Sequence, residues 1–198
     1  TADIYVEALE IKLADIGVGR IATLCWRYFA MDSQGNWERT ARAYTMLVHG
    51  EGDRADDAVS AIRNSFLRGI TDEFTAPIVL ESEPGIPISR IKEGDTIVYF
   101  NHRAESMRQL VRSLSVPDAL GSAKPTFASV CMTEYDRDFG LPVAFRSERS
   151  NNGLTEVLAS AGIQNVKISQ SERFPHITYF FNGGRNSELE REKHILLP

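Results

Sequence analysis

Three arginines stand where apolar runs meet polar residues. Arg27 follows IATLCW, Arg103 follows the run Thr96 to Phe100 by three residues, and Arg173 precedes the run from Ile177. A guanidinium offers a planar fork of donors that matches a carboxylate or phosphate bidentately. Strand exits are where open α/β sheets bind their ligands. Arg103 also immediately precedes an expected helix, whose N-terminus favours anions. The chemistry these positions suggest is the gripping of a small anionic molecule. Arg27, held by two aromatics at a strand exit, suits that task, although the same residues also fit an arginine that stacks on Tyr28 and packs a strand end.

Apolar spacing places the elements that carry these side chains. Asp3 caps a helix with Ile4, Ala8, Ile11 and Ile16 on one face, ended by Gly17 and Gly19. Ile21 to Trp26 reads as a buried strand, and Trp37, Ala41, Tyr44 and Val48 recur at helical spacing. His49 to Asp53 is a loop. Asp56 or Asp57 begins a helix with Ala58, Ile62, Ser65 and Phe66 inward, and Phe74 to Leu80 is a short strand interrupted by Pro77, followed by a loop from Glu81 to Gly85. Thr96 to Phe100 is short and apolar enough for a buried central strand, followed by a helix from Ala104 with Met107, Leu110, Val111 and Leu114 on one face. A polar linker at Pro117 to Lys124 and a third strand at Phe127 to Met132 come next. After a change of character between Pro142 and Asn152 come a helix (Leu154 to Ala161) and strands at Val166 to Ile168 and Ile177 to Phe181. Strands alternating with helices imply α/β architecture, a mainly parallel sheet with helices on both faces.

Composition narrows the function classes. The chain has 198 residues, 42% apolar and 25% charged, ordinary for a globular protein. A net charge of −5 argues against a nucleic-acid partner, which needs a basic face. The apolar runs are too short for a membrane span. No basic-then-apolar leader opens the sequence, and a cytoplasmic location is expected. Cys25 and Cys131 lie in apolar runs without metal or redox spacing, so both read as core thiols. His49, His102, His176 and His194 lack ligand spacing, and no metal is expected on this chain. The run Glu188 to Lys193 reads as a solvated loop. The apolar end at His194 to Leu197 calls for a pairing partner, so the chain reads as a fragment.

Six motifs in order carry a specific resemblance: RYFAMD from Arg27 with Trp37-Glu38-Arg39 after it, HGEG from His49, DEF from Asp72 with a following proline, GDTIVYFNHR from Gly94, CMTEYD from Cys131, and ERFPHITYFFNGG from Glu172. Together they resemble the cofactor-independent (2,3-bisphosphoglycerate-independent) phosphoglycerate mutases, from about Ala8 to Leu197. The resemblance implies a two-domain enzyme of the alkaline-phosphatase-like superfamily. In it a phosphatase domain holds a serine nucleophile and two manganese ions, and an inserted domain grips phoshoglycerate while 3- and 2-phosphoglycerate interconvert in glycolysis and gluconeogenesis through a phosphoserine. On that basis residues 1–144 match most of the substrate-binding domain and 145–198 a returning piece of the phosphatase domain. The nucleophile and metal ligands are missing, so no catalytic residue is assigned and the fragment alone is expected to be inactive. The absent phosphatase domain is the expected partner, and orphaned strands invite a non-native dimer.

The resemblance assigns substrate binding to Arg27, Arg103 and Arg173, the last in place of a family lysine. Two further family arginines are Ser33 and Ser106 here, and the phenylalanine usual before Arg103 is His102. Arg20 and Arg108 are the arginines available to compensate. Ser33 and Ser106 leave a second reading open: a fragment of a diverged sibling, whether a phosphohydrolase or mutase of another phospho-acid or a non-catalytic relative.

Overall fold

A computed structural model describes residues 2–116, 125–146, 151–185 and 187–197; the expected linker at 117–124 lies outside them. The chain forms two compact units, Thr1–Arg146 and Ser147–Pro198. The first opens with helix α1 (Ala2–Ile16), whose inward face is not the expected one. Ala2 and Val6 pack against the core, while Ile4, Ile11 and Ile16 are exposed. The sequence carries two apolar stripes on nearly opposite faces of this helix, and the ion pairs of Arg63 with Asp3 (3.2 Å) and Glu7 (3.6 Å) dock the other one.

A small sheet follows. Strand β1 (Thr23–Leu24) runs antiparallel to β3 (Ile78–Glu83), which pairs in parallel with β2 (Asp53–Ala55) and antiparallel with β4 (Ile86–Pro87). Pro77 precedes β3 and its carbonyl accepts the Asp53 N–H at 2.9 Å. The strand therefore starts later than expected and continues through Glu83, where a loop was expected. Helix α2 (Arg27–Ala30) begins three residues beyond β1, so Arg27 opens a helical turn rather than ending a strand. Helix α3 (Trp37–His49) ends on Gly50 in the left-handed region, and a Cβ on Gly52 would lie 2.6 Å from the Pro77 carbonyl. The HGEG glycines thus have a steric reason. Helix α4 (Ala58–Leu67) is capped by Asp57, which accepts the Ser60 N–H at 2.7 Å, and packs Ala58, Ala61 and Ile62 on Leu24, Ile78 and Leu80.

The other core of this unit lies between helices and the parallel pair β5 (Thr96–Tyr99) and β6 (Ala128–Cys131). Helix α5 (Ala104–Ser115) buries Met107, Leu110, Val111 and Leu114, the expected face, against Tyr44, Val48, Tyr99 and Cys131. Thr96 to Phe100 is not a buried central strand. Tyr99 alone of β5 is buried and Phe100 is 85% exposed, because the two-stranded sheet is covered on one face among the described residues. Cys25 and Cys131 are free thiols, and burial pushes Cys25 up to about 12, consistent with inert core positions.

The second unit holds α6 (Leu154–Ser160) and the parallel strands β7 (Asn165–Gln170) and β8 (Glu192–Leu197), registered from Asn165–Glu192 to Gln170–Leu197. The expected strand at Ile177 to Phe181 is instead a π-helical segment, His176–Phe180. Pro175 sits in the helical region ahead of it, the Thr178 hydroxyl donates to the Phe174 carbonyl at 2.7 Å, and Gly183 and Gly184 adopt positive φ after it. The apolar residues there also fit a strand; local side-chain-to-backbone hydrogen bonding outweighed that pattern.

Arg191 has φ 59°, a left-handed conformation that crowds any Cβ. Arg191→Gly is expected to stabilise the second unit by about 1 kcal/mol, read as a raised melting temperature. An unchanged or lowered melting temperature would show that the position carries no strain.

The α/β architecture therefore holds: among the described residues three of five strand pairings are parallel, distributed over three small sheets rather than one. Among the described residues no helix is long and apolar enough to cross a membrane.

Candidate functional site

The structure brings Arg27, Ser33, Arg103 and Ser106 to one cleft of about 300 Å³ in the first unit. Tyr28, Asp32, Gln34, Arg39, Glu73 and Phe74 complete most of its wall. The convergence has a local cause. Ser33 lies in the turn between α2 and α3, and that turn is pinned by the Gly35 N–H donating to Gln109 Oε1 at 2.9 Å. Gln109 sits three residues after Ser106 on α5 and donates from Nε2 to Thr40 at 3.1 Å, so the turn and the first turn of α5 meet. Arg103 is set at the entry to α5, where its N–H donates to Asn101 Oδ1 at 2.8 Å. Tyr135 of the CMTEYD motif anchors that entry, its hydroxyl 2.8 Å from the Tyr99 carbonyl and 2.6 Å from the Asn101 carbonyl.

The turn is built on Asp32, a buried carboxylate. It accepts from the Gln34 N–H (3.1 Å), the Asn36 N–H (3.0 Å), Asn36 Nδ2 (2.9 Å) and Arg39 Nη1 (3.1 Å). Burial works to raise its pKa, but the donors of Asn36 and Gln34 outweigh it and hold the carboxyl below the usual range.

The aromatic clamp expected on Arg27 belongs to other arginines. Arg27 Nη2 pairs with Glu73 at 3.2 Å, both side chains well exposed. Arg39 stacks on Tyr28 with its guanidinium carbon 3.8 Å from the ring centroid, and Arg42 stands 4.6 Å over Phe29. Three guanidiniums and two carboxylates line the cleft, an excess of one positive charge. Among the described residues no carboxylate pairs with Arg103, which is exposed and open to a ligand.

Arg173 lies in the second unit, exposed, ahead of the π-helical segment. Neither arginine named as a compensator lines the cleft. Arg108 donates to the Tyr135 carbonyl (3.2 Å) and pairs with Asp136 (3.4 Å); Arg20 lines a separate cleft with Glu10 and Asp56. Glu134 and Asp136 are likewise engaged by Arg137 and Arg108. Sequence reasoning missed Arg39 and Glu73, which stand inside quoted motifs, and Gln109, whose signal was a polar residue on the apolar face of α5.

In the second unit Glu192 is buried, not solvated. Its carboxylate meets Lys167 Nζ at 2.6 Å, Asn182 Nδ2 at 2.9 Å, the Leu189 N–H at 2.9 Å and His194 Nε2 at 2.8 Å. The described residues contain no group of three or more His, Cys, Asp or Glu side chains that could hold a metal ion. The two manganese ions implied by the resemblance therefore find no ligand set among them.

Fold and cleft together define an α/β protein with an arginine-lined cleft. Residues 1–137 match the family described as BPG-independent PGAM N-terminus. The chain belongs to that family. It is similar to the 2,3-bisphosphoglycerate-independent phosphoglycerate mutases of Desulforudis audaxviator, 41% identical over 98% of this chain and 39% of that protein, and of Moorella thermoacetica, 42% identical over 98% and 38%. A crystal structure of Leishmania mexicana phosphoglycerate mutase at low cobalt concentration matches all of this chain and 39% of that one, with TM-score 0.80 and 23% identity, a likeness of fold. The chain spans about 39% of the length of the curated relatives it matches.

Proposed function

We propose that this chain is the substrate-binding portion of a cofactor-independent phosphoglycerate mutase, gripping phosphoglycerate while 3- and 2-phosphoglycerate interconvert through a phosphoserine. The observation that carries the reading is the convergence of Arg27, Arg39 and Arg103 with Ser33 and Ser106 on one cleft, in a chain of this family. Arg103, without an ion-pair partner among the described residues, meets the anion. Arg27 exchanges Glu73 for it, an exposed pair that is easily given up. Ser33 and Ser106 offer hydroxyls that both donate and accept. Holding the glycerate in place keeps the reacting hydroxyl oriented. The serine nucleophile, the manganese ions and the phosphatase domain belong to the remainder of the enzyme, a cytoplasmic glycolytic isomerase, and residues 145–198 to that domain's returning piece. Arg173, in the second unit, keeps the substrate-binding role that the resemblance implies for it.

Calorimetric titration of the 198-residue chain with 3-phosphoglycerate tests this. Arg103→Ala is expected to weaken binding roughly 10- to 150-fold, the worth of one charge-assisted contact. Equal affinity in the variant would remove the cleft from substrate binding. The purified chain is expected to show no mutase turnover, and measurable turnover free of contaminating enzyme would overturn that division of labour.

Ser33 and Ser106 favour one other reading, a diverged sibling acting on, or merely binding, another phospho-acid. If Ser33→Arg/Ser106→Arg binds 3-phosphoglycerate and the native chain does not, that reading replaces the first.

A further inference from the structure

We propose that Arg39 contacts the bound anion directly and supplies positive charge at the place where Ser33 cannot. The ligand named rests on the phosphoglycerate reading above. Arg39 and Ser33 line the same cleft, six residues apart across the turn that Asp32 organises. Two restraints at different angles fix the guanidinium. Asp32 Oδ2 holds Nη1 at 3.1 Å, and the Tyr28 ring lies against its face at 3.8 Å. A cation in the first turn of α3 opposes the helix dipole, so these contacts hold the charge where local preference would not.

Asp32 does not use Arg39 up. Its carboxylate already takes three hydrogen bonds from Gln34 and Asn36, and it engages Arg39 through one nitrogen. A guanidinium carries five N–H donors, so most remain for a ligand, and a third of the side chain is exposed. Arg27, by contrast, must first leave Glu73, and Arg103 is unrestrained by any ion pair among the described residues. Arg39 is thus the pre-set cation of the cleft, and pre-setting lowers the ordering penalty of binding. The bland alternative is that Arg39 merely pins the Asp32 turn.

The test combines calorimetry with side-chain 15N NMR of the arginine Nε–H groups on the 198-residue chain, titrated with 3-phosphoglycerate and with inorganic phosphate. Addition of 3-phosphoglycerate is expected to shift Arg27, Arg39 and Arg103. Arg39→Gln is expected to lose at least about tenfold in affinity, one charge-assisted contact, with Arg39→Lys intermediate. Ser33→Arg in the Arg39→Gln background is expected to restore binding, which a purely structural role would not allow. Native-like binding by Arg39→Gln, or no rescue by Ser33→Arg, overturns the inference. So does an unmoved Arg39 signal while Arg27 and Arg103 shift, an outcome that leaves the phosphoglycerate reading standing. If Arg39 responds to inorganic phosphate and no arginine responds to 3-phosphoglycerate, the anion contact stands and the phosphoglycerate reading falls. If Arg39 responds to neither ligand, the inference falls.

Discussion

Glu192→Gln is expected to destabilise the second unit by about 3–5 kcal/mol, because it leaves Lys167 buried without its counter-charge. The Lys167 side chain is 10% exposed and that of Glu192 is fully buried, so water replaces little of what is lost. The ammonium also meets Thr155 Oγ1 at 3.0 Å and Asn182 Oδ1 at 2.6 Å, neutral partners that solvate it without cancelling its charge. Lys167→Met/Glu192→Gln is expected to recover part of the loss, since removing both charges is far less costly than stranding one. Urea denaturation followed by second-unit amide exchange checks both variants. A single mutant as stable as the native chain would mean that the pair contributes nothing.

The same carboxylate sets a pH dependence. Burial works to raise the Glu192 pKa, but hydrogen bonds from Lys167, Asn182, Leu189 and His194 prevail and lower it from 4.5 to about 2. A folded value below the unfolded one means that the stabilisation is present above pH 4.5 and is lost as pH falls toward 2. The shift corresponds to ~3 kcal/mol. Glu192→Gln should flatten that acid limb, and an acid limb unchanged in the variant would assign it to other carboxylates.

Asp32→Ala is the second large effect, expected to cost the first unit about 2–4 kcal/mol by leaving the Gln34 and Asn36 donors without their acceptor and Arg39 without its counter-ion. It should also loosen the turn that presents Ser33 and Arg39, so the affinity for 3-phosphoglycerate should fall together with stability. Asp32→Asn, which keeps one acceptor oxygen, is expected to lie between. Since the folded-state carboxyl titrates below its ordinary range, its contribution is present above that range and disappears as pH falls through the depressed value. Melting temperatures of the three proteins at neutral and acid pH decide the matter, and equal values would show that the turn holds itself.

The helices were legible because their signals are local. The apolar face of α5, the cap at Asp57 and the stop at Gly50 each appear within a few neighbouring residues. The π-helical segment at His176–Phe180 was misread because its apolar residues also fit a strand, and the hydrogen bond from Thr178 to Phe174 that decides between them has no periodic signature. The exposed Ile4–Ile11 face of α1 was misread because hydrophobicity alone does not say which of two stripes meets a partner.

The sequence by itself determined the α/β class and the family, since residue types and ordered motifs carry those directly. The tertiary structure alone decided that Arg27, Ser33, Arg103 and Ser106 share one cleft, that Glu73 rather than an aromatic pair holds Arg27, that Arg39 stands beside Ser33, and that Glu192 is a buried counter-ion. The physical reason is separation along the chain. Arg27 and Glu73 are 46 positions apart and Gly35 and Gln109 are 74 apart, so no local preference or periodicity encodes their pairing. Packing of the elements that carry them creates it.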